Sequence, residues 1–375
     1  MMDGVRCYSN YRELLKEDID LNEEVRKLEP KINSLRSPIK LIARYLCNNL
    51  TQFKAKIIIN LFKSIDSSDA KLIIAAGGNT AAYSAALSLL TNIPNIQLGS
   101  PRGIHSKNFN AHLTIERYFD VPNNLVLDIT PNLYSPELCM NASNEKAFLN
   151  SALLLIGGQG IGYSYEETEW NQLIKNIIDF TDVTHSKITI VTSRRTDPSI
   201  EALLKSSLSN YFTDDSIWFH AGGANANLAE LFGNAAKIFV TEDSAMMISE
   251  SISSGKKVTT LFPAFIDTPE RYSNHIQKYR DLNLIDSQSI KDQLRFEDGK
   301  DNIEKINLIR KDLKRSMILY IMEGVLECIK TVSDELGGYY KENIYQSALY
   351  LELNLRGQIT QTEVVVPIIY KGYYL

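Results

Sequence analysis

The sequence predicts an α/β protein of two Rossmann-like domains, each built on a parallel sheet, followed by a tyrosine-rich C-terminal extension. Three observations carry this. Short apolar runs alternate with helix-period segments along most of the chain, the pattern of parallel strands joined by crossover helices. The alternation starts twice, each time as an apolar run meeting a glycine turn. The first is LIIAA at 72–76 before Gly77-Gly78; the second is LLLI at 153–156 before Gly157-Gly158-Gln159-Gly160-Ile161-Gly162. The length of 375 residues suits about two domains and an appendage, at roughly 150 residues per domain.

Taken in order, residues 11–30 read as charged helical sequence ending at Pro30, and 39–65 alternate apolar and basic clusters at helical spacing. Segment 71–90 (KLIIAAGGNTAAYSAALSLL) is strand, tight turn, helix, with Thr80 placed as an N-cap. Further strands are expected at 95–98 and 124–128. The second series has strands at 153–156, 187–192 (KITIVT), 217–220, 237–240 (KIFV) and 258–262 (VTTLF). Helices are expected near 166–180, 199–208 and 245–253, and a long helical region over 302–336. The domain boundary falls between 143 and 151, giving domains at 1–148 and 149–336 and an extension at 337–375. That extension holds seven of the 19 tyrosines and ends in the strand-like EVVVPIIYKGYYL.

Composition narrows the class. With 44% hydrophobic and 23% charged residues, the chain is not a disordered, collagen-like or coiled-coil sequence. The net charge of −5 argues against a nucleic-acid partner, because phosphate-backbone affinity needs concentrated Lys and Arg. Cys7, Cys47, Cys139 and Cys328 form no CxxC pair and have no His at ligand spacing, so neither a metal site nor a disulfide framework is expected. The N-terminus has no apolar leader core, and no apolar run has the length of about 18 residues that a spanning helix needs. A cytoplasmic protein is expected, free or bound to a membrane face. One segment stands apart: residues 31–65 contain Lys31, Arg36, Lys40, Arg44, Lys54, Lys56 and Lys63 and no acidic residue. Such a segment, with Lys40, Arg44, Lys54, Lys56 and Lys63 as its patch, lies on an anionic membrane or forms two amphipathic elements with solvated lysine faces.

In open α/β sheets ligands bind beyond the carboxyl ends of the strands, so the loops after strands are the places to look. Gly158, Gly160 and Gly162 let backbone approach a ligand, or form a tight structural turn. Their spacing is neither the GxGxxG fingerprint nor a P-loop. Ser193-Arg194-Arg195-Thr196 directly follows a buried strand; its arginines grip an anion, or form a solvated or domain-closing ion pair. Ser244, after Glu242-Asp243, opens a helix and is a phosphate contact or a cap. Glu250 follows nearly two turns on, within reach of a ribose diol.

The order Gly-Gly-x-Gly, VTSRRT and AKIFVTEDSAMMISESISSGKKVTTLFP resembles the mitochondrial-fission ELM family, named for elongated mitochondria in plants and widespread in bacteria. The first half agrees in LIIAAGGNTAAYSAAL and in IQLGSPRG at 96–103. The resemblance covers about residues 70–285 and is strongest over 187–262. More distantly, the GGQG turn and the SES-to-Gly-Lys region resemble the lipid-linked N-acetylglucosamine transferase of peptidoglycan synthesis. The resemblance implies the GT-B architecture, two Rossmann-like domains facing across a cleft, with a nucleotide-sugar donor in the second and an acceptor in the first. It places Gly158, Gly160, Ser193, Arg194, Arg195, Asp243, Ser244 and Glu250 on the donor, with Ser244 on a phosphate and Glu250 on the ribose. It places Gly77, Gly78, Asn79, Thr80 and Arg102 on the acceptor side, and it implies no resident metal or cofactor.

The chain departs from the family in two places. It opens Met1-Met2-Asp3-Gly4-Val5-Arg6-Cys7, where members carry a strand and a DGxxGH-type loop, so the first strand is expected to be missing. Arg117-Tyr118-Phe119-Asp120 replaces a Pro-x-His-Asp-type element. A base for an inverting transfer must then come from His105, His112, Glu116 or Asp120, with His105 and Asp120 as the choice; His220 is placed to contact a base or sugar. The expected activity is glycosyl transfer to a membrane-associated acceptor, such as a lipopolysaccharide core, on the inner face of the cytoplasmic membrane. The alternatives are a non-catalytic adaptor, as in plant relatives that recruit a dynamin-related protein, and a nucleotide-sugar epimerase.

Overall fold

A computed structural model describes residues 38–62, 70, 72–76, 80–143, 151–213, 215–222, 227–295, 301–321, 323–338, 340–355, 369–370 and 373–374. Lys63, Gly77, Gly78, Asn79 and the N-terminal segment with the expected missing strand lie outside these residues. The chain divides into two compact units: Val126–Lys314, and the described residues of Arg26–Leu125 with Arg315–Leu375. The division thus falls at 125/126, whereas the sequence pattern suggests 148/149.

Residues 126–143 belong with the later unit because they are packed into it. Helix α4 (Pro136–Ala142) starts at Ser135, whose hydroxyl accepts from the Leu138 N–H at 3.1 Å. The Tyr134 ring meets Phe232 edge-on at 5.0 Å. A Cβ on Gly233 would overlap the Cys139 carbonyl. Asn132 donates to the Ser249 carbonyl at 3.0 Å and to the Ser253 hydroxyl at 2.8 Å.

The unit Val126–Lys314 is built on a parallel sheet of β5 (Ser151–Leu155), β7 (Lys187–Val191), β8 (Lys237–Thr241), β9 (Val258–Phe262) and β11 (Asp286–Ser289), in the order β11-β9-β8-β5-β7. Three of its neighbouring strands, β5, β7 and β8, read SALLL, KITIV and KIFVT. Such near-continuous apolar runs are what a sheet covered on both faces requires. Leu153, Leu154, Ile188, Ile190, Ile238, Phe239 and Val240 are all buried. The cover comes from α5 (Glu167–Thr184), α6 (Pro198–Leu208), α8 (Leu228–Asn234), α9 (Ala245–Ser253) and α10 (Glu270–Asp281). Helix α5 runs to Thr184 and ends at His185 in the left-handed region (φ 54°), four residues beyond its expected end at 180. Helix α6 starts as its sequence directs, with Asp197 accepting from the Ser199 N–H at 2.8 Å and Pro198 in the first turn.

The strand expected at 217–220 is a correction. Only Ile217 pairs, donating to the Ile190 carbonyl at 2.8 Å and accepting from the Thr192 N–H at 3.0 Å; the short helix α7 (Phe219–Gly222) follows at once. With Ile217 counted as a vestigial outer strand, the sheet runs 3-2-1-4-5-6, the order of dinucleotide-binding folds. Residues 302–336 form two helices, α11 (Ile303–Ile321) and α12 (Glu323–Leu336).

The other unit holds a sheet in the order β1 (Ile73–Ala76), β2 (Asn95–Leu98), β3 (Ala111–Thr114), β4 (Asn124–Val126), with β1–β2 and β2–β3 parallel. Strand β3 was not legible in the sequence: AHLT is short, and its polar His112 and Thr114 are buried. Helix α3 (Ala81–Thr91) links β1 to β2 and packs with α1 (Pro38–Cys47) and α2 (Gln52–Asn60). Its small residues Ala81, Ala82, Ala85 and Ala86 are buried against Ala43, Cys47, Ala55 and Ile58. Burial pushes the Cys47 thiol up to about 12, so it is an inert core group. In the same unit α12 packs with α13 (Glu342–Leu355), and β12 (Ile369–Tyr370) pairs antiparallel with β13 (Tyr373–Tyr374).

Candidate functional site

Three neighbouring strands, β8, β5 and β7, deliver their following loops to one edge of the sheet. The chain reverses direction across the sheet between β5 and β8, the switch point where open α/β folds leave a crevice. Gly157 follows β5 and Asp243 follows β8, and they meet there. A Cβ on Gly157 would overlap the Asp243 carboxylate, so only glycine fits. The Gly157 N–H donates to Thr241 Oγ1 at 2.7 Å. Its carbonyl accepts from the hydroxyls of Ser193 and of Thr196, the latter at 2.9 Å. The VTSRRT turn is thereby locked onto the glycine turn through its hydroxyls.

Arg195 closes the arrangement. Its guanidinium meets Asp243 Oδ2 at 3.0 Å, with the arginine side chain 45% exposed and the aspartate side chain fully buried. A Cβ on Gly158 (φ 138°) would overlap the Arg195 carbonyl, and one on Gly160 would come within 2.9 Å of the Arg195 guanidinium. These two glycines therefore make room for Arg195. Burial pushes the Asp243 carboxyl up to about 6, against the opposing pull of hydrogen bonds and of Arg195.

Next to Asp243, Glu242 turns into the protein. Its Oε1 accepts from Arg280 at 2.6 Å, Thr260 at 2.6 Å and Ser287 at 2.9 Å, and its Oε2 accepts from the Tyr163 hydroxyl at 3.0 Å. Tyr272 donates to the Glu242 carbonyl at 2.6 Å. This cage ties β8, β9, β11, α10 and β6 (Tyr163–Ser164, paired antiparallel with β10, Phe265–Ile266) together under the loops. Gly157 and Arg280 are absent from the sequence-based candidates, and Thr196, Thr241 and Glu242 lie in the loops singled out there without a role of their own. The available signal was the acidic pair Glu242-Asp243 directly after an apolar strand, where neighbouring side chains face opposite ways.

The other predicted residues fall as follows. Ser244 occupies the N-cap position of α9 but its side chain makes no cap hydrogen bond, so of the two readings, phosphate contact or cap, the cap is not formed. Glu250 lies on α9, half-buried, and Arg194 is exposed on the VTSRRT turn. In the other unit, Thr80, Arg102, His105 and Asp120 all follow strand ends. Thr80 also departs from its expected cap: its hydroxyl donates to the Ala76 carbonyl at 2.9 Å. Arg102 is exposed in the left-handed region (φ 47°).

His105 Nδ1 accepts from the Lys107 N–H at 3.1 Å, and its ring lies 4.4 Å from that of Phe119. That amide selects the tautomer with the proton on Nε2, so the neutral ring offers an N–H outward. Asp120 is exposed and pairs with Arg117 at 3.4 Å. His112 is wholly buried between Ser106 Oγ at 2.7 Å and the Gly99 carbonyl at 2.9 Å. It is a structural histidine, held below its usual range by burial. A depression of about 620 Å³ in this unit opens between Asn49, Leu50 and Asn108–Asn110, at the amino-terminal edge of the sheet, and includes none of the predicted residues. Among the described residues no cluster of His, Cys, Asp and Glu has a metal-binding arrangement, and no helix is long and apolar enough to cross a membrane.

A parallel sheet in this strand order, with glycine, hydroxyl and arginine loops gathered at its switch point, defines a Rossmann-like domain. The sequence model of mitochondrial fission ELM1 matches residues 14–297, and the chain belongs to that family. Residues 320–375, which include the tyrosine-rich extension, match the model of the PD-(D/E)XK nuclease superfamily. No curated protein matches the chain. Among solved structures it is similar to Acinetobacter baumannii MurG, with 13% identity, a TM-score of 0.39 and coverage of 92% of this chain and 87% of that one. It is also similar to the S. aureus MnaA–UDP co-structure, with 11% identity, a TM-score of 0.41 and coverage of 84% and 87%. A third likeness is to E. coli ADP-heptose lps heptosyltransferase II, with 11% identity, a TM-score of 0.37 and coverage of 85% and 95%. Likenesses this distant carry no argument about the site.

Proposed function

We propose that the chain is a glycosyltransferase that binds a nucleotide sugar at the loops after β5, β7 and β8. The sugar passes to a hydroxyl of a membrane-associated acceptor, a cell-envelope saccharide such as lipopolysaccharide core, at the cytoplasmic face. The observation that carries the reading is the meeting of Gly157, Arg195 and Asp243 at the switch point, beside a helix whose N-cap side chain leaves the first-turn amides uncapped. Those amides and the helix dipole favour an anion. Arg194 and the exposed edge of Arg195 supply positive charge where a departing diphosphate develops negative charge. Asp243 acts as a positioning residue, fixing the Arg195 fork in one orientation. Glu250, farther along α9, accepts from a ribose diol. Of His105 and Asp120, Asp120 keeps lone pairs for an acceptor hydroxyl proton, whereas His105 presents an N–H suited to binding an oxygen.

Calorimetry against a panel of nucleoside diphosphates and their sugars tests the donor site. Saturable binding to one nucleotide class, lost in Arg194→Ala and Glu250→Ala, is the expected result. At a hundredfold excess over Kd such binding stabilises the fold by about 2.7 kcal/mol, so a thermal shift gives a second readout. A folded chain that binds none of the panel refutes the reading.

A further inference from the structure

We infer that the α1–α2 hairpin is a docking surface for an anionic lipid bilayer. Both helices turn one face inward: Ala43 and Cys47 of α1, and Ala55 and Ile58 of α2, are buried in a common cluster with α3. The opposite face of α1 is apolar where a solvated helix carries polar residues, and α2 adds one exposed aromatic, Phe53, among the polar Gln52, Lys56 and Asn60. Leu41 is 62% exposed, Tyr45 77% and Phe53 74%, and Ile42 is exposed beside them. Leu41 and Tyr45 stand one turn apart on α1; Phe53 and exposed Lys56 stand one turn apart on α2.

The charge says what the face meets. Residues 31–65 carry seven basic side chains and no acidic one in a chain of net charge −5. Lys54 holds the α1–α2 turn through the Asn49 carbonyl at 3.1 Å and keeps its charge near the rim of the apolar face. A second copy of the chain would set this face against itself and bring like charges together. A bilayer of acidic lipid offers both complements at once, an apolar medium for Leu41, Tyr45 and Phe53 and negative headgroups for Arg44, Lys54 and Lys56. The inference deepens the proposed function by naming the surface that meets the acceptor's membrane, and rests on that reading only for the acceptor's identity.

The test is sedimentation of the full chain with phosphatidylcholine vesicles, with and without phosphatidylglycerol, at rising salt. Binding to the acidic vesicles alone, weakening with salt, is expected. Leu41→Glu, Tyr45→Glu and Phe53→Glu each lower the partition by about tenfold or more, while Phe53→Leu retains it. Lys54→Gln and Lys56→Gln each lower it by about fivefold and flatten the salt dependence. Circular dichroism checks that each variant is folded. A folded wild type that ignores acidic vesicles, or binding indifferent to all these substitutions, overturns the proposal. So does a wild-type dimer in size-exclusion chromatography that Leu41→Glu and Phe53→Glu dissociate, which makes the face a self-interface. Nucleotide binding is read separately without vesicles, so either proposal fails on its own.

Discussion

Replacing Asp243 by Asn should stabilise the protein at neutral pH. The carboxyl is buried against Gly157 and pushed from 3.8 up to about 6. Between those values the native state holds a proton that the unfolded chain has lost, so stability falls as pH rises through that window. The shift corresponds to about 3 kcal/mol of cost, fully present above the native value and absent below the unfolded one. Asn is the near-isostere of the neutral form, so Asp243→Asn should match the wild type near pH 4 and exceed it at pH 7 by up to about 3 kcal/mol.

His275 makes the comparison necessary. It is buried, and its value is lowered from 6.5 to about 4, by burial first and then by Lys278 and Arg271. Its contribution runs the other way: stability is lost as pH falls below the unfolded value, over nearly the same window. The two slopes offset one another in the wild type, and the Asn variant exposes the histidine slope. Urea unfolding of both proteins at pH 4, 5, 6 and 7 reads this directly. A variant less stable than wild type at pH 7, or a difference independent of pH, would refute the argument that burial rather than ion pairing dominates at Asp243. A stable variant with weakened nucleotide binding would mark Asp243 as a group retained for function at the expense of stability.

Three further outcomes follow from the same geometry. Gly158→Ala places a Cβ on the Arg195 carbonyl at φ 138°; backbone strain and overlap together should cost about 2–4 kcal/mol in denaturant unfolding, and an unchanged midpoint would contradict the packing. Glu242→Ala leaves Arg280, 34% exposed on its side chain, without its buried partner and breaks the hydroxyl cage, so a loss of about 3 kcal/mol or more is expected, visible as a lowered Tm. His112 is lowered from 6.5 by burial, so its native ring stays neutral where the unfolded ring takes a proton. Stability of its unit should then fall as pH drops below about 6.5. His112→Gln should reduce that dependence, and hydrogen exchange of β2 and β3 amides as a function of pH would measure it.

Much of the later sheet was legible because parallel strands buried on both faces must be apolar runs, and LLLI, KITIV, KIFV and VTTLF have few other uses. The loops that follow them were legible for the same reason. Adjacent strands in a parallel sheet send their next loops to one edge, so the loops holding Gly158, Arg195 and Asp243 are marked by the strand pattern as places to look. Strand β3 was hidden because its buried side chains include His112 and Thr114, which are satisfied by Ser106, Gly99 and Asn124 from other segments. The strand expected at 217–220 shrank to one pairing residue because α7 starts at Phe219.

What the sequence by itself determined is thus the order of elements, the positions of the glycine and arginine loops, and the basic character of residues 31–65, all of which are local or periodic properties. Tertiary structure alone decided which partners those residues take. It set Arg195 on Asp243, turned Glu242 away into a cage of distant hydroxyls, left Ser244 without a cap bond, fixed the His105 tautomer through Lys107, and moved the unit division to 125/126. Each of these depends on which side of a strand end a side chain faces and on what lies beside it from far along the chain. Neither propensity nor spacing carries that information, because packing against remote segments is a property of the folded whole.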